Sequence, residues 1–429
     1  MIPQLRTSAP DFANSFAVLR RQLNDEDVSA VVANIIERVR ADGDKALLEL
    51  TVQYDRAPLE SAKKLVVPAE TLSQAHESLA PELQAALRAA AERIEEYHRR
   101  QLPQSWQYTD FNGNTCGERI TPVARAAVYA PGGRAAYPSS VLMGVIPAKI
   151  AGVREITLLT PVADGAVPPI TLAAAKIAGA DKVFTLGGAQ AVAAAALGTD
   201  TVPRADVIVG PGNAYVAEAK RQLCGIVGID SLAGPSEVLI VCDDTANPEW
   251  VAADMLAQAE HDERAQCITV SPDAALLNQV AAALVRQLET APRAAIARHS
   301  LVSRGALITA ANIGECCQLA NDIAAEHVQV MCADAPAVAA NIHNAGGLFI
   351  GAYSCVPLGD YGAGPNHVLP TAQTARFASP LGVHHFIKRT GIFQATAAGA
   401  RIPAADAVTL ARAEGLFAHA EAAALRTKA

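Results

Sequence analysis

Between residues 154 and 223 one pattern recurs: a short apolar run, a turn holding glycine or proline, then an alanine-rich stretch of helical character. REITLLTPV (154–162) leads to ITLAAAKIAGA (170–180); DKVFTLGGAQAVAAAALG (181–198) repeats the unit, and DVIVGPGNAYVAEAKRQL (206–223) repeats it again. A helix after a strand carries the chain back to the edge it left, so successive strands run parallel and their crossovers share one hand. The spacing predicts a doubly wound parallel sheet with helices on both faces. Ligands of such sheets sit outside the carboxyl ends of the strands, and each glycine turn here lies at such an end.

The same alternation reappears after residue 237. VGIDSLAGPSEVLIVCDD (227–244) leaves the first unit, 246–266 reads as helix, CITVSPD as strand, and ANIGECCQLANDIAAEHVQVMC as helix running into strand. The expected fold is α/β, with two doubly wound, Rossmann-like parallel-sheet domains, one inserted in the other, and small N- and C-terminal helical appendages. The expected boundaries are a helical arm at 1–23, a first α/β domain at 24–128 plus 238–380 carrying most catalytic residues, an inserted domain at 129–237, and an appendage at 381–429. Residues 24–44 read as a helix capped near Asn24, with Val28, Val31, Val32, Ile35 and Val39 at helical spacing. Residues 71–102 read as helix with a break at Pro81. The run 351–377, with four glycines and three prolines, reads as a long functional loop.

Composition narrows the function. The chain of 429 residues is long enough for more than one core. Its net charge of −8 and lack of a Lys/Arg block argue against nucleic acid. The N-terminus has no apolar signal region, and no apolar run reaches the ~20 residues of a membrane span. Eight cysteines without CxxC spacing argue against a disulfide framework or thiolate zinc site and fit a reducing cytoplasm. The vicinal Cys316-Cys317 reads as a pair of small helix residues.

A few residues carry chemistry. The glycine turns lack a full GxGxxG, so each is either a tight turn or a place where backbone approaches a phosphate at a helix N-terminus. Gln258 and His261 share a helix face. With Asp360, and with His367 and His419 further on, they are either surface polar groups or an N/O donor set suited to zinc or a similar divalent ion. Glu326 and His327 adjoin at a helix–strand junction. They either cap backbone groups or form an acid–base pair, and geometry decides between the two.

Taken in order, YAPGGRAAYPSSVLM, LGGAQAVAAAALGT, GPGNAYVAEAKR, VGIDSLAGPSE, QAEHDERA, AAEHVQV, LGDYGAGPNHVLPTAQTARF and AEGLFAHAEA resemble the bacterial histidinol dehydrogenases, from about residue 24 to the C-terminus. The resemblance implies an aldehyde-dehydrogenase-like fold. It also implies a four-electron oxidation of L-histidinol to L-histidine through the aldehyde, with two NAD+ and one zinc ion per subunit. Position by position it implies Gln258, His261, Asp360 and His419 as zinc ligands and His327 as general base, with Glu326 activating water. Ser236, His367 and Glu414 would join the zinc ligands and His327 in touching substrate, and Tyr129, Gln190 and Asn213 would touch NAD+. It implies a cytoplasmic homodimer in which Glu414 and His419 complete the partner's site. One segment departs from the family: SPLGVHHFIKRTGIF replaces a GLSVxDFxKR-like stretch. That keeps open a paralogue oxidising another small amino alcohol or diol. His384 and His385 within it read as surface or loop residues.

Overall fold

The strands Glu237–Cys242, Gln266–Ser271 and His327–Met331 are buried at every position. A strand needs that continuous burial when helices cover both faces of its sheet. In the computed structural model, which describes residues 2–20, 27–55, 60–132, 136–162 and 166–427, they form the middle of a six-stranded sheet. Its order is Gln4–Arg6, Ala306–Thr309, Gln266–Ser271, Glu237–Cys242, His327–Met331, Gly347–Ile350, all neighbours parallel. A second parallel sheet has five strands in the order Lys182–Thr185, Glu155–Thr160, Arg125–Tyr129, Val207–Val209, Gly228–Ile229. From Glu237–Cys242 onward the larger sheet repeats the winding of the smaller one. In each, the first strand lies central and the order reverses beside it, so each has a switch point. The two doubly wound sheets are those the recurring pattern predicts.

Other expectations need correction. The N-terminal arm is more than helical, because Gln4–Arg6 adds an edge strand to the larger sheet, pairing with Leu307, Ile308 and Thr309, before the helix Phe12–Leu19. The helices of 28–99 pack on the smaller sheet and not on the larger one with which they were grouped. Val32, Ile35, Leu47 and Leu50 share a buried cluster with Tyr129, Leu159, Phe184 and Ile208. Leu72, Leu87 and Ile94 join Val128, Ile156 and Leu158 on the other face. An amphipathic helix shows that it buries a face, not which sheet receives it. Val31 points to solvent, and the cap expected at Asn24 lies outside the described residues. The break at Pro81 is present: Ala69–Glu77 ends, and Pro81 opens Pro81–Arg99 at the helix position that tolerates proline.

A three-stranded antiparallel sheet, Ile387–Gln394 beside Thr115–Pro122 beside Trp106–Thr109, ties the C-terminal segment to the rest. The helices Arg401–Ala413 and Phe417–Thr427 then pack on each other, with only Ala404 and Ala420 buried in them. All eight cysteines are free thiols, and Cys316 and Cys317 are buried in the helix Ile313–Ile323. Among the described residues no helix is long and apolar enough to cross a membrane.

Candidate active site

The two sheets meet head to tail. The carboxyl end of the smaller sheet and the amino end of the larger one enclose a cleft of about 400 Å3. Pro131, Ser139, Ser140, Pro211, Gly212 and Asn213 line it from the first side; Ser236, Gln258, His261, Glu326, His327, Asp360, His367 and Thr371 line it from the second. Glu326 and His327 therefore open into the same space, although neighbours on an ideal strand face apart. The backbone explains it. The helix Ile313–Ile323 closes on Ala324 at φ 51, a left-handed turn unusual for alanine, and the strand begins only at His327. Gly346 passes so close that a Cβ there would meet the Glu326 carbonyl at 2.4 Å.

Hydrogen bonds define the protonation of the pair. His327 Nδ1 lies 2.9 Å from the Glu237 carbonyl oxygen and 3.5 Å from Glu326 Oε2. The nearer carbonyl can only accept, so Nδ1 carries the proton and the Nε2 lone pair is left over. Nε2 is buried and has no partner. Burial holds the His327 pKa below the ordinary histidine value, against the pull of Asp360. Glu326 Oε2 accepts from the Glu237 N–H at 2.9 Å, and burial pushes its carboxyl up to about 8. Together these are a neutral imidazole with an open lone pair beside a carboxyl poised near neutrality.

Three further cleft residues, Gln258, His261 and Asp360, come from helix ends. Gln258 lies in the last turn of Pro248–Ala259, and His261 follows it. Asp360 sits in Val356–Tyr361, a short helix inside the stretch expected to be loop. Burial raises the Asp360 carboxyl, opposed by His327 and His261. Helix carboxyl ends carry partial negative charge and favour a cation. His367 Nε2 is buried without a partner, and burial lowers its pKa to about 4. Among the described residues no three His, Cys, Asp or Glu side chains could hold a metal ion by themselves. The expected set has only His261 and Asp360 of those types in the cleft. Glu414 and His419 are exposed on the terminal helix pair and do not line it.

A second cavity, of about 470 Å3, adjoins the cleft at Pro131 and Asn213, where the order of the smaller sheet reverses. Tyr129, Gln190 and Asn213 line it, with Tyr54 and Asp55, which sequence reasoning missed. The helices Gly188–Leu197 and Ala214–Leu223 begin at its wall. The buried Tyr129 hydroxyl accepts the Gly188 N–H at 3.2 Å, and burial pushes its pKa up to about 12. Asn213 Oδ1 caps its helix through the N–H groups of Tyr215 and Val216. Gln190 Nε2 donates to Asp55, whose carboxyl burial raises. The turn at Gly210 is bracketed by a buried ion pair. Lys220 Nζ donates to the Gly210 carbonyl at 3.1 Å and to Asp230 Oδ1, while Asp230 Oδ2 accepts the Gly210 N–H at 2.7 Å.

His384 and His385 line neither cavity. The atypical segment around them is structural: Leu381, Val383 and Phe386 are buried in the core over the smaller sheet. Glu237, behind Glu326, was also missed; it opens a strand and reads as an ordinary boundary residue.

Two doubly wound sheets, a cleft between them and a cavity at the switch point of the smaller one define an α/β protein of two Rossmann-like sheets. The lactaldehyde dehydrogenase of Escherichia coli shares that fold at TM-score 0.50 and 10% identity, over 84% of this chain and 92% of that one. The family model for histidinol dehydrogenase matches residues 18–427. The histidinol dehydrogenase of Nitrosospira multiformis is 51% identical over 99% of this chain and 97% of its own. The crystal structure of the histidinol dehydrogenase from Elizabethkingia anophelis superposes at TM-score 0.94 with 34% identity, over 100% of this chain and 98% of that one. The chain belongs to the histidinol dehydrogenase family.

Proposed function

We propose that the protein oxidises L-histidinol to L-histidine by way of the aldehyde, using two NAD+. One observation carries the reading: His327 presents a buried, unpartnered Nε2 to a cleft that Glu326 also enters. Nε2 takes the hydroxyl proton in the alcohol step. Glu326 takes a proton from the water that adds to the aldehyde, a task suited to a carboxylate whose pKa lies near 8. Ser236 and His367 line the same cleft and orient the substrate.

NAD+, the hydride acceptor of each oxidation, fits the cavity of Tyr129, Gln190 and Asn213, where two helix N-termini favour its pyrophosphate. The donor set in the cleft is N/O in character and gathered at helix carboxyl ends, which suits a borderline divalent cation. Gln258, His261 and Asp360 would hold zinc from one chain, and His419 from a second. A bound zinc ion lowers the pKa of a hydroxyl or amine that it holds. A shared site accounts for a terminal helix pair that leaves Leu410, Phe417 and Leu425 exposed. We read Glu414, on the same pair, as a substrate contact of the partner's site.

The assay measures NADH formed from L-histidinol, from L-histidinal and from unrelated alcohols, with and without a chelator. Chelator-sensitive NADH from the first two is expected. NADH from other alcohols but not histidinol would select a paralogue, and none from any would leave a binding protein. Removing residues 410–429 is expected to abolish dimerisation and zinc retention; full activity in that truncation would refute the shared site.

A further inference from the structure

The pair at the mouth of the strand is held by a residue that never reaches the cleft. Glu237 touches both members of it. Its N–H donates to Glu326 Oε2 at 2.9 Å, and its carbonyl accepts from His327 Nδ1 at 2.9 Å. Its side chain adds two more bonds: Oε2 accepts the Glu326 N–H, and Oε1 accepts the Ala372 N–H, both at 3.2 Å. It is 8% exposed, and a carboxylate is placed at such depth only with compensating bonds.

The Ala372 bond falls on strained backbone. Ala372 and Gln373 have φ of 53 and 65, a region that non-glycine residues adopt only where their surroundings hold them there. Thr371, just before them, lines the cleft, and its hydroxyl accepts the Gly234 N–H at 2.7 Å. The Glu237 carboxylate thus joins the residue that starts the catalytic pair to the loop that closes over it. It lies on the far side of that wall, against a smaller cavity of about 140 Å3 lined also by Arg20, Arg264 and Arg304.

We propose that the Glu237 carboxylate is a positioning residue for the water-activating step, clamping the backbone of Glu326 to that of Ala372. The proposal rests on Glu326 acting as the base of that step. The geometry separates the two half-reactions. His327 is held by the Glu237 carbonyl and by its place between Val238 and Gly347 in the sheet, neither of which a side-chain change removes. The Glu326 N–H precedes the strand and is held by the carboxylate.

The test uses full-length, zinc-loaded Glu237→Gln and Glu237→Ala, with NADH measured separately in two reactions. One is the first turnover on L-histidinol, the other steady turnover on L-histidinal. Misplacing a catalytic group by a fraction of an ångström to an ångström costs roughly tenfold to hundredfold in rate. Glu237→Ala is expected to lose that much in kcat on histidinal, with KM and zinc content unchanged. Glu237→Gln, which keeps one acceptor oxygen, is expected to lose less. The first turnover on histidinol stays within about twofold, since the carbonyl holding His327 is intact. Equal losses in both reactions with a lowered melting temperature would show a merely structural role, and no loss in either would remove Glu237 from the mechanism; both overturn the proposal. A wild-type protein that makes no NADH from histidinol would instead sink the parent assignment, so the two failures are distinguishable.

Discussion

The two sheets share a winding but face the cleft with opposite ends. The smaller sheet has its cavity at its carboxyl end, where Tyr129 and the Gly210 turn lie and two helices begin. The larger one lines the cleft with its amino end, where Glu237 and His327 open their strands and the helices carrying Gln258 and Asp360 finish. Helix beginnings carry partial positive charge and helix endings partial negative charge. One winding therefore yields a surface for anions at one end and for cations and protons at the other. Placed head to tail, the sheets bring those surfaces together across Pro131 and Asn213. The rule that clefts open at the carboxyl ends of the strands describes half of this molecule.

If the ends have separate duties, damage at one should spare the other. The largest effect is expected from His327→Gln, which removes the open Nε2. Turnover of histidinol should fall by ~10²–10⁴, while NAD+ affinity, measured by titration, stays put. Comparable weakening of NAD+ binding would break the comparison.

Glu326→Gln is expected to slow the aldehyde-to-acid half by roughly 10²-fold or more without altering bound zinc. Metal analysis checks this, and equal zinc loss would point to a structural role.

On the opposite side, Lys220→Met leaves Asp230 buried without its cation behind the Gly210 turn. Breaking a buried pair in this way costs about 3–5 kcal/mol. Denaturant unfolding should register that loss, and NAD+ binding should weaken more than the exchange of protons at the cleft.

The smallest effect is a slope with pH. Glu326 and Glu237 titrate near 8 and 7 in the folded chain, against 4.5 for an ordinary glutamate, so the folded state keeps protons that the unfolded chain has released. Their contribution is complete below about 4.5 and is lost as pH rises through about 7 to 8. Melting temperatures of chelated protein should therefore fall over that window, and Glu326→Gln should flatten the decline. An unchanged slope would show that the pair is not the source.

Much of this was legible in the sequence, for physical reasons that also mark the limits. Strand–turn–helix spacing announces parallel sheets because few other folds tolerate it, and both sheets are present. The same spacing does not tell which end of a sheet is used, so Glu326 and His327 read equally as a cap. Their shared orientation depends on the left-handed Ala324, a residue type that gives no warning of such a turn. Tyr54 and Asp55 were missed because they end a short π-helical extension of Asp44–Leu50, whose wider turn the usual helical period does not reveal. Gln4–Arg6 was missed because three residues, none of them buried, are too few for their alternation to stand out. The family resemblance supplied Glu414 and His419, which the single chain leaves exposed and away from the cleft.

That first strand has a consequence in time. Gln4 pairs with Leu307, so the opening residues of the chain have no seat until a segment about 300 residues later is made. At the ribosome's pace of roughly 5–20 residues per second, the wait is about 15–60 s. The strands of the smaller sheet and the cluster on its Tyr129 face are made by residue 229, well within that interval. During synthesis the Tyr129 face of the smaller sheet therefore has its whole core first, while its other face still waits for Leu381, Val383 and Phe386 and the N-terminus for its partner strand.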